Sequence, residues 1–94
     1  MSSSLDRQAL ATHVLRALGR AQVKGRALTI EDVARTLKVR KSDVRAIAAQ
    51  LDTEGHVDAL RLRLTLSGLA LATAMEGKRL RPLRPRKAAA SAAA

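Results

Sequence analysis

The sequence predicts a mostly α-helical fold that carries one short β-hairpin. Ala and Leu, which are strong helix formers, dominate the 94 residues, and no aromatic residue is present. Apolar residues recur at helical spacing over most of the chain. In the segment 61–66 apolar and polar residues instead alternate strictly, which is typical of a half-buried strand. The length fits a single domain with a modest core.

The first predicted helix covers residues 5–18. Its apolar residues fall at helical spacing, and Gly19 is the expected stop. Residues 2–4 are serines that can cap its start. A basic loop is expected over residues 20–27.

Two further helices are predicted close together. Thr29 and Asp32 have the spacing of a capping box at the start of a second helix that ends near Leu37. A tight turn at 39–40 leads into a third helix over 41–53. Its expected core face has the spacing i, i+3, i+4, i+7 and consists of Val44, Ile47, Ala48 and Leu51.

A hairpin and a fourth helix follow. The alternating segment 61–66 is the expected second strand, with 56–59 as its partner. Either Thr65 or Ser67 is expected to cap a fourth helix over 68–75. We therefore expect one folded domain over residues 1–77, followed by a flexible tail over 78–94 that is first basic and Pro-containing and then Ala-rich.

The order helix, helix, turn, helix, wing, helix resembles one family. The segment 30–39 is similar to the first half of a helix-turn-helix, with Ala34 as the small residue where two helices cross. The segments 42–44 and 51–57 resemble a recognition helix and its exit into a wing, and 63–70 resembles the second wing strand with the following helix. Over roughly 5–75 the chain is thus similar to winged helix-turn-helix bacterial transcriptional regulators of the MarR and PadR types. This resemblance implies DNA binding, although the predicted wing is short.

Composition favours a polyanionic partner. The chain has 18 Lys and Arg against 8 Asp and Glu, a formal net charge of +10. Without aromatic residues it lacks the platforms on which single-stranded bases stack, so double-stranded DNA is favoured over RNA loops. Cysteine is absent, which excludes disulfides and thiolate metal sites. No apolar run is long enough for a membrane span, and we expect a cytoplasmic, nucleoid-associated protein.

No arrangement of residues typical of catalysis is visible, so we expect a protein that is not an enzyme and has no cofactor or metal. His13 and His56 are far apart in sequence, and neither has a cysteine or paired acid at ligand spacing. No Ser/His/Asp arrangement, glycine-rich phosphate loop or carboxylate pair is found.

The outward face of the third helix is the candidate for reading bases. It consists of Lys41, Ser42, Arg45, Ala46 and Ala49. Arg45 is the candidate for a bidentate contact to guanine, and its alternative is a solvated charge. Asp43 is interpreted either as a first-turn acid that caps the helix or as an acceptor from cytosine. Arg40 stands where the family often has Ser or Thr, so a weak cap is expected.

Other cations are expected to contact the DNA backbone. They lie in the first loop, the turn, the wing and the tail: Lys24, Arg26, Arg40, Arg61, Arg63, Lys78, Arg79, Arg81, Arg84, Arg86 and Lys87. Residues 27–60 hold five basic and six acidic residues, a net charge of −1, so the segment with the recognition helix is not itself basic.

Sequence-selective regulation of transcription is the leading functional hypothesis, and two alternatives stay open. One is an architectural, nucleoid-associated DNA binder; the other is a winged-helix adaptor that binds a protein partner. We also expect a homodimer, because one short recognition helix makes few base contacts. The first helix, or the fourth with Leu69, Leu71 and Met75, is the expected interface.

Overall fold

The protein folds into four α-helices and one two-stranded antiparallel hairpin. In the computed structural model, which describes residues 5–83, the elements are α1 (Arg7–Val23), α2 (Ile30–Leu37), α3 (Lys41–Thr53), β1 (Val57–Asp58), β2 (Arg63–Leu64) and α4 (Leu66–Met75). The predicted mostly helical class with a short hairpin is confirmed. Within the described part of the chain, no helix is both long and apolar enough to cross a membrane.

α1 extends beyond its predicted end. The expected stop at Gly19 is wrong, because the helix continues through it to Val23. Gly19 is buried, and a Cβ atom there would lie 2.8 Å from the Cβ of Ala72 on α4. The glycine therefore serves close helix packing and does not end the helix. Asp6 caps the start, with its carboxylate accepting from the backbone N–H of Gln8 at 3.0 Å; the serines at 2–4 lie outside the described residues.

α2 and α3 match their predicted positions. The capping box is confirmed: the Thr29 hydroxyl accepts from the Asp32 N–H, and the Asp32 carboxylate accepts from the Thr29 N–H, both at 3.0 Å. Lys38 ends α2 in the left-handed region, with φ +59°, which turns the chain sharply into α3. The predicted core face of α3 is buried as expected, at Val44, Ile47, Ala48 and Leu51.

The hairpin is shorter than the alternating pattern predicts. Only Val57 and Asp58 pair, with Leu64 and Arg63 respectively. Leu62 has φ +52°, so the chain is turning there and the strand cannot extend back through it. At the other end Leu66 already belongs to α4. Alternation over 61–66 thus combines a turn, two strand residues, a cap and a helix start.

α4 begins two residues earlier than predicted. Of the two expected caps, Thr65 takes the role, since its hydroxyl accepts from the Gly68 N–H at 3.1 Å. The same hydroxyl donates to the carbonyl of Gly55 at 2.7 Å, which joins α4 to the end of α3. A Cβ atom on Gly68 would lie within 1.9 Å of the His56 carbonyl oxygen, so only glycine fits.

One core joins all these elements. Its most deeply buried large side chains are aliphatic and come from α1, α2, α3 and β1: Leu10, Val14, Val33, Val44, Ile47 and Val57. α1 lies at the centre, because it packs against α2, α3, β2 and α4. The exposed sides of α1 and α3 are therefore held by the same rigid cluster.

The first part of the predicted tail lies against α1. The carbonyl of Leu83 accepts from the Asp6 N–H at 2.7 Å, and the carbonyl of Arg81 lies 2.8 Å from His13 Nε2. Leu83 is half-buried and packs against the core. Residues 78–83 thus form a strap along the helix, which differs from the flexible segment predicted from the sequence. The remainder of the tail lies outside the described residues.

Candidate nucleic-acid interface

The predicted base-reading residues share one exposed surface of α3. Lys41, Ser42, Arg45, Ala46 and Ala49 are all exposed, while the opposite side of the helix packs into the core. We call these five residues the α3 face. Because Ala46 and Ala49 have only methyl side chains, this surface is low around Arg45 and a flat or convex partner can come close.

The polar side chains of the α3 face have no partners within the described part of the chain. Lys41, Ser42 and Arg45 take part in no side-chain hydrogen bond or ion pair among residues 5–83. Asp43 differs: its carboxylate accepts from the Arg40 N–H at 3.2 Å and from Arg40 Nε at 3.4 Å. The capping interpretation of Asp43 is therefore confirmed, and it replaces the side-chain cap that Arg40 cannot provide.

Two predicted backbone contacts are already paired with acids. Arg40 Nε lies 3.4 Å from Asp43, and Arg61 Nε lies 3.9 Å from Asp58. Both arginine side chains are exposed, so these pairs contribute little to stability and can open at low cost. Arg61 lies in the turn of the hairpin and not in β2, although the whole alternating segment 61–66 was expected to form the strand.

The hairpin lies beside the loop that joins α1 and α2. Leu62 and Arg63 line a small cavity of about 190 Å³ together with Gly25 and Arg26. Gln22 fixes this contact, because its side-chain oxygen accepts from the Leu64 N–H at 3.1 Å. Of the predicted backbone cations, Arg26 and Arg63 are thus neighbours, although 37 positions separate them in the sequence.

A second group of cations lines a groove between α1 and α2, and sequence reasoning missed half of it. Arg16, Arg20, Lys24 and Arg26 surround a volume of about 380 Å³ that His13, Leu28 and Leu37 also border. We call these four cations the basic face. Lys24 and Arg26 were expected to bind phosphate, but Arg16 and Arg20 were not. The available signal was the spacing 16, 20, 24, which places three cations on one side of a helix.

Glu76 is the one acid bonded to the basic face in the described residues. Arg20 donates to both of its carboxylate oxygens, at 2.9 and 3.1 Å. This hydrogen bond, with the nearby charges of Arg20 and Arg16, lowers the pKa of Glu76. Arg16 also donates to the carbonyl of Lys78 at 3.3 Å, so the strap begins at this face.

The strap cations do not join the α3 face. Arg81 donates to Gln8 at 3.4 Å and lies 3.8 Å from Asp6, while Arg79 and Arg81 border a groove with Gln8 and Thr12 of α1. Lys78 lies beside Arg16, as described above. Arg84, Arg86 and Lys87 lie outside the described residues. The described part of the tail therefore adds its charge to α1.

The expected dimer residues are only partly available. Leu69 and Met75 are half-buried and pack against the core, whereas Leu71 is 37% exposed. Two apolar side chains that were not predicted are more exposed, with Leu66 at 86% and Val23 at 81%. α4 has no charged residue over its ten positions, so its outer side is uncharged and largely apolar.

Both histidines are engaged in contacts between elements. His13 Nε2 lies 2.8 Å from the Arg81 carbonyl, and His56 Nδ1 lies 2.8 Å from the Ser67 hydroxyl. Each therefore joins two distant parts of the chain.

No protein-family model matches the chain, and no curated protein or solved structure matches it either.

Proposed function

We propose that this protein is a winged helix-turn-helix protein that binds double-stranded DNA, with α3 in the major groove, and acts as a small sequence-selective regulator of transcription. One observation carries the proposal: α3 presents two cations and a hydroxyl that have no side-chain partners among residues 5–83, around two alanines, on a helix fixed by the core. The N-terminal residues of a recognition helix are those that contact base edges, and here Lys41, Ser42 and Arg45 lie in that part.

The shape of the α3 face supports entry into a groove. Ala46 and Ala49 let the helix backbone approach the bases, and an alanine methyl can contact the methyl group of thymine. Arg45 lies beside them on the exposed surface and can donate two hydrogen bonds to one guanine edge. Its guanidinium has no acid partner among the described residues, so binding a base would break no ion pair.

The scaffold around α3 supports a defined docking angle. Asp52, near the end of α3, accepts from the Ala59 N–H at 2.8 Å, which ties the hairpin turn to the helix. Asp58 accepts from the Leu60 N–H at 3.1 Å and keeps that turn compact. The hairpin is therefore too short to follow a neighbouring minor groove far, and we assign it backbone contacts through Arg61 and Arg63.

The test compares Arg45→Ala with Arg61→Ala. A duplex that the wild-type protein selects from a random library is paired with a scrambled duplex, and affinities are measured at one salt concentration. Loss of a guanine contact should cost Arg45→Ala about 1–3 kcal/mol on the selected duplex and much less on the scrambled one. Arg61→Ala should lose affinity equally on both duplexes, because a phosphate contact is not sequence-specific.

The three functional hypotheses predict different results. Equal losses on both duplexes for Arg45→Ala would replace the regulator by an architectural DNA binder. No loss on either duplex, with both variants folded, would favour the adaptor. That alternative is supported by a separate observation, the uncharged outer side of α4 with Leu66 almost fully exposed.

A further inference from the structure

The basic face forms a line of cations along α1. Arg16, Arg20 and Lys24 follow at intervals of four residues, and at 1.5 Å per residue the line is about 12 Å long. Arg26 continues it at one end, and at the other end Arg16 donates to the backbone carbonyl of Lys78, so the start of the strap lies beside the line. No carboxylate lines the groove itself among the described residues.

The middle of this line points away from the core that α1 and α3 share. On α1, Val14 and Leu18 are buried in the core that α3 shares, and Arg16 lies two positions from each. Two residues correspond to about 200° around a helix, so Arg16 projects almost opposite to them. The α3 face in turn lies on the side of α3 that does not pack into the core. Arg16 and Arg20 therefore point away from a straight duplex seated on α3, whereas Arg26, which lies beside Arg63, is the end of the line nearest to that duplex.

The shape of the basic face fits a linear polyanion better than a small anion. The groove is open and none of its cations is buried, so it lacks the enclosed, buried donors that hold a single phosphate. One strand of DNA carries a phosphate about every 3.4 Å along the axis, so a 12 Å line matches about three or four phosphates. Such contacts recognise the backbone and carry no sequence information.

We propose that the basic face binds the backbone of a second duplex, so that one molecule bridges two DNA segments, one on α3 and one on α1. This inference rests on the proposed DNA binding by α3. It assigns the two faces different tasks: α3 selects a sequence, and α1 holds any neighbouring duplex.

A two-duplex capture assay tests the bridge. A bead-bound duplex carrying the selected sequence is saturated with protein, and the capture of a second, fluorescent duplex of scrambled sequence is measured. Arg16→Gln/Lys24→Gln removes two cations of the basic face and leaves the Arg20–Glu76 pair intact. Arg7→Gln/Arg35→Gln is the matched control, since it removes the same charge elsewhere. Circular dichroism and thermal unfolding show that each variant folds.

We expect wild-type protein and the control to capture the second duplex, and the basic-face variant to capture at least tenfold less. Its affinity for the selected duplex alone should fall less than threefold. Binding of one duplex without capture of a second by wild-type protein would overturn the bridge and leave the proposed function standing. Equal capture by wild-type protein and the basic-face variant would also overturn the bridge through the basic face and leave the proposed function standing, because a dimer could then bridge two duplexes through its two α3 faces. Failure of wild-type protein to bind the selected duplex would instead overturn the proposed function.

Discussion

The α3 face and the basic face differ in both charge and shape. The α3 face lies in a segment whose net charge is −1, and it offers small side chains around two cations. The basic face lies where the two positively charged parts of the chain meet, residues 1–26 with +4 and 61–94 with +7. The first surface is suited to shape and hydrogen bonding, the second to phosphate charge. Under the proposed function, selectivity and affinity are thus separate properties, located on different helices.

The largest effect is expected from truncation after Gly77. This change removes six cations. The salt slope is the decrease in the logarithm of the binding constant per unit increase in the logarithm of the salt concentration. Since each phosphate contact contributes about 0.9 to it, the salt slope should fall by up to about five units. Affinity should fall equally for selected and scrambled duplexes, because the strap lies along α1 and not at α3. The measurement is duplex affinity over a series of salt concentrations.

Truncation after Leu83 is the matched control, because it keeps the strap and removes only the three cations beyond it. About half of the slope change is expected. A loss of affinity confined to the selected duplex would show that the tail acts together with the α3 face, and the two surfaces would then not have separate tasks. An unchanged slope in both truncations would exclude the tail from DNA binding.

The two faces differ in how far the sequence predicts them. α2 and α3 are fixed by local rules, namely helical spacing and the Thr29–Asp32 capping box, and both helices were correctly located. The basic face depends on tertiary structure. Gly19 was expected to end α1, which assigned Arg20 and Lys24 to a loop and hid their alignment with Arg16. Only the packing of α4 against Gly19 shows why the helix continues.

The hairpin and the strap were missed for the same reason. Strict alternation over 61–66 satisfies the strand pattern, but the positive φ of Leu62 and the cap at Thr65 belong to turns whose partners are distant in sequence. The strap is held by hydrogen bonds from Asp6 and His13, about 70 positions away. Pattern and composition carry no information about such contacts.

A second, intermediate effect is expected at the outer side of α4. If two copies pair there, Leu66→Glu places a charge in an apolar interface and should weaken the homodimer at least tenfold, as measured by sedimentation. Thermal unfolding should not change, since Leu66 is 86% exposed and a glutamate is favourable in the first turn of a helix. Selective binding should weaken as two linked half-sites become one, while binding through the basic face remains.

Leu60→Glu is the control for that experiment, because Leu60 is 97% exposed in the hairpin turn, away from α4. Equal dissociation by both variants would point to net charge and not to the α4 surface. A wild-type protein that sediments as a monomer, both free and on DNA, would contradict the homodimer itself.

The smallest effect is expected from Glu76→Gln, which makes the basic face more positive and leaves the α3 face unchanged. The change leaves Arg20 at most one of its two hydrogen bonds to this side chain and removes the nearest acid, so affinity for a scrambled duplex should rise about two- to tenfold at low salt. Glu54→Gln, at the far end of α3, is the control with the same charge change, and an equal rise there would assign the effect to net charge.

Glu76→Gln should also change how the stability of the protein depends on pH. Because the Arg20 hydrogen bond lowers the pKa of Glu76 in the folded state, the pair stabilises the protein above the unfolded pKa of about 4.3, and this contribution is lost as the pH falls through the lower folded value. Between pH 7 and pH 3 the thermal midpoint of Glu76→Gln should therefore fall slightly less than that of the wild-type protein. Parallel curves would mean that the Arg20–Glu76 pair is too solvated to couple α1 to α4, and that Arg20 is already free to bind phosphate.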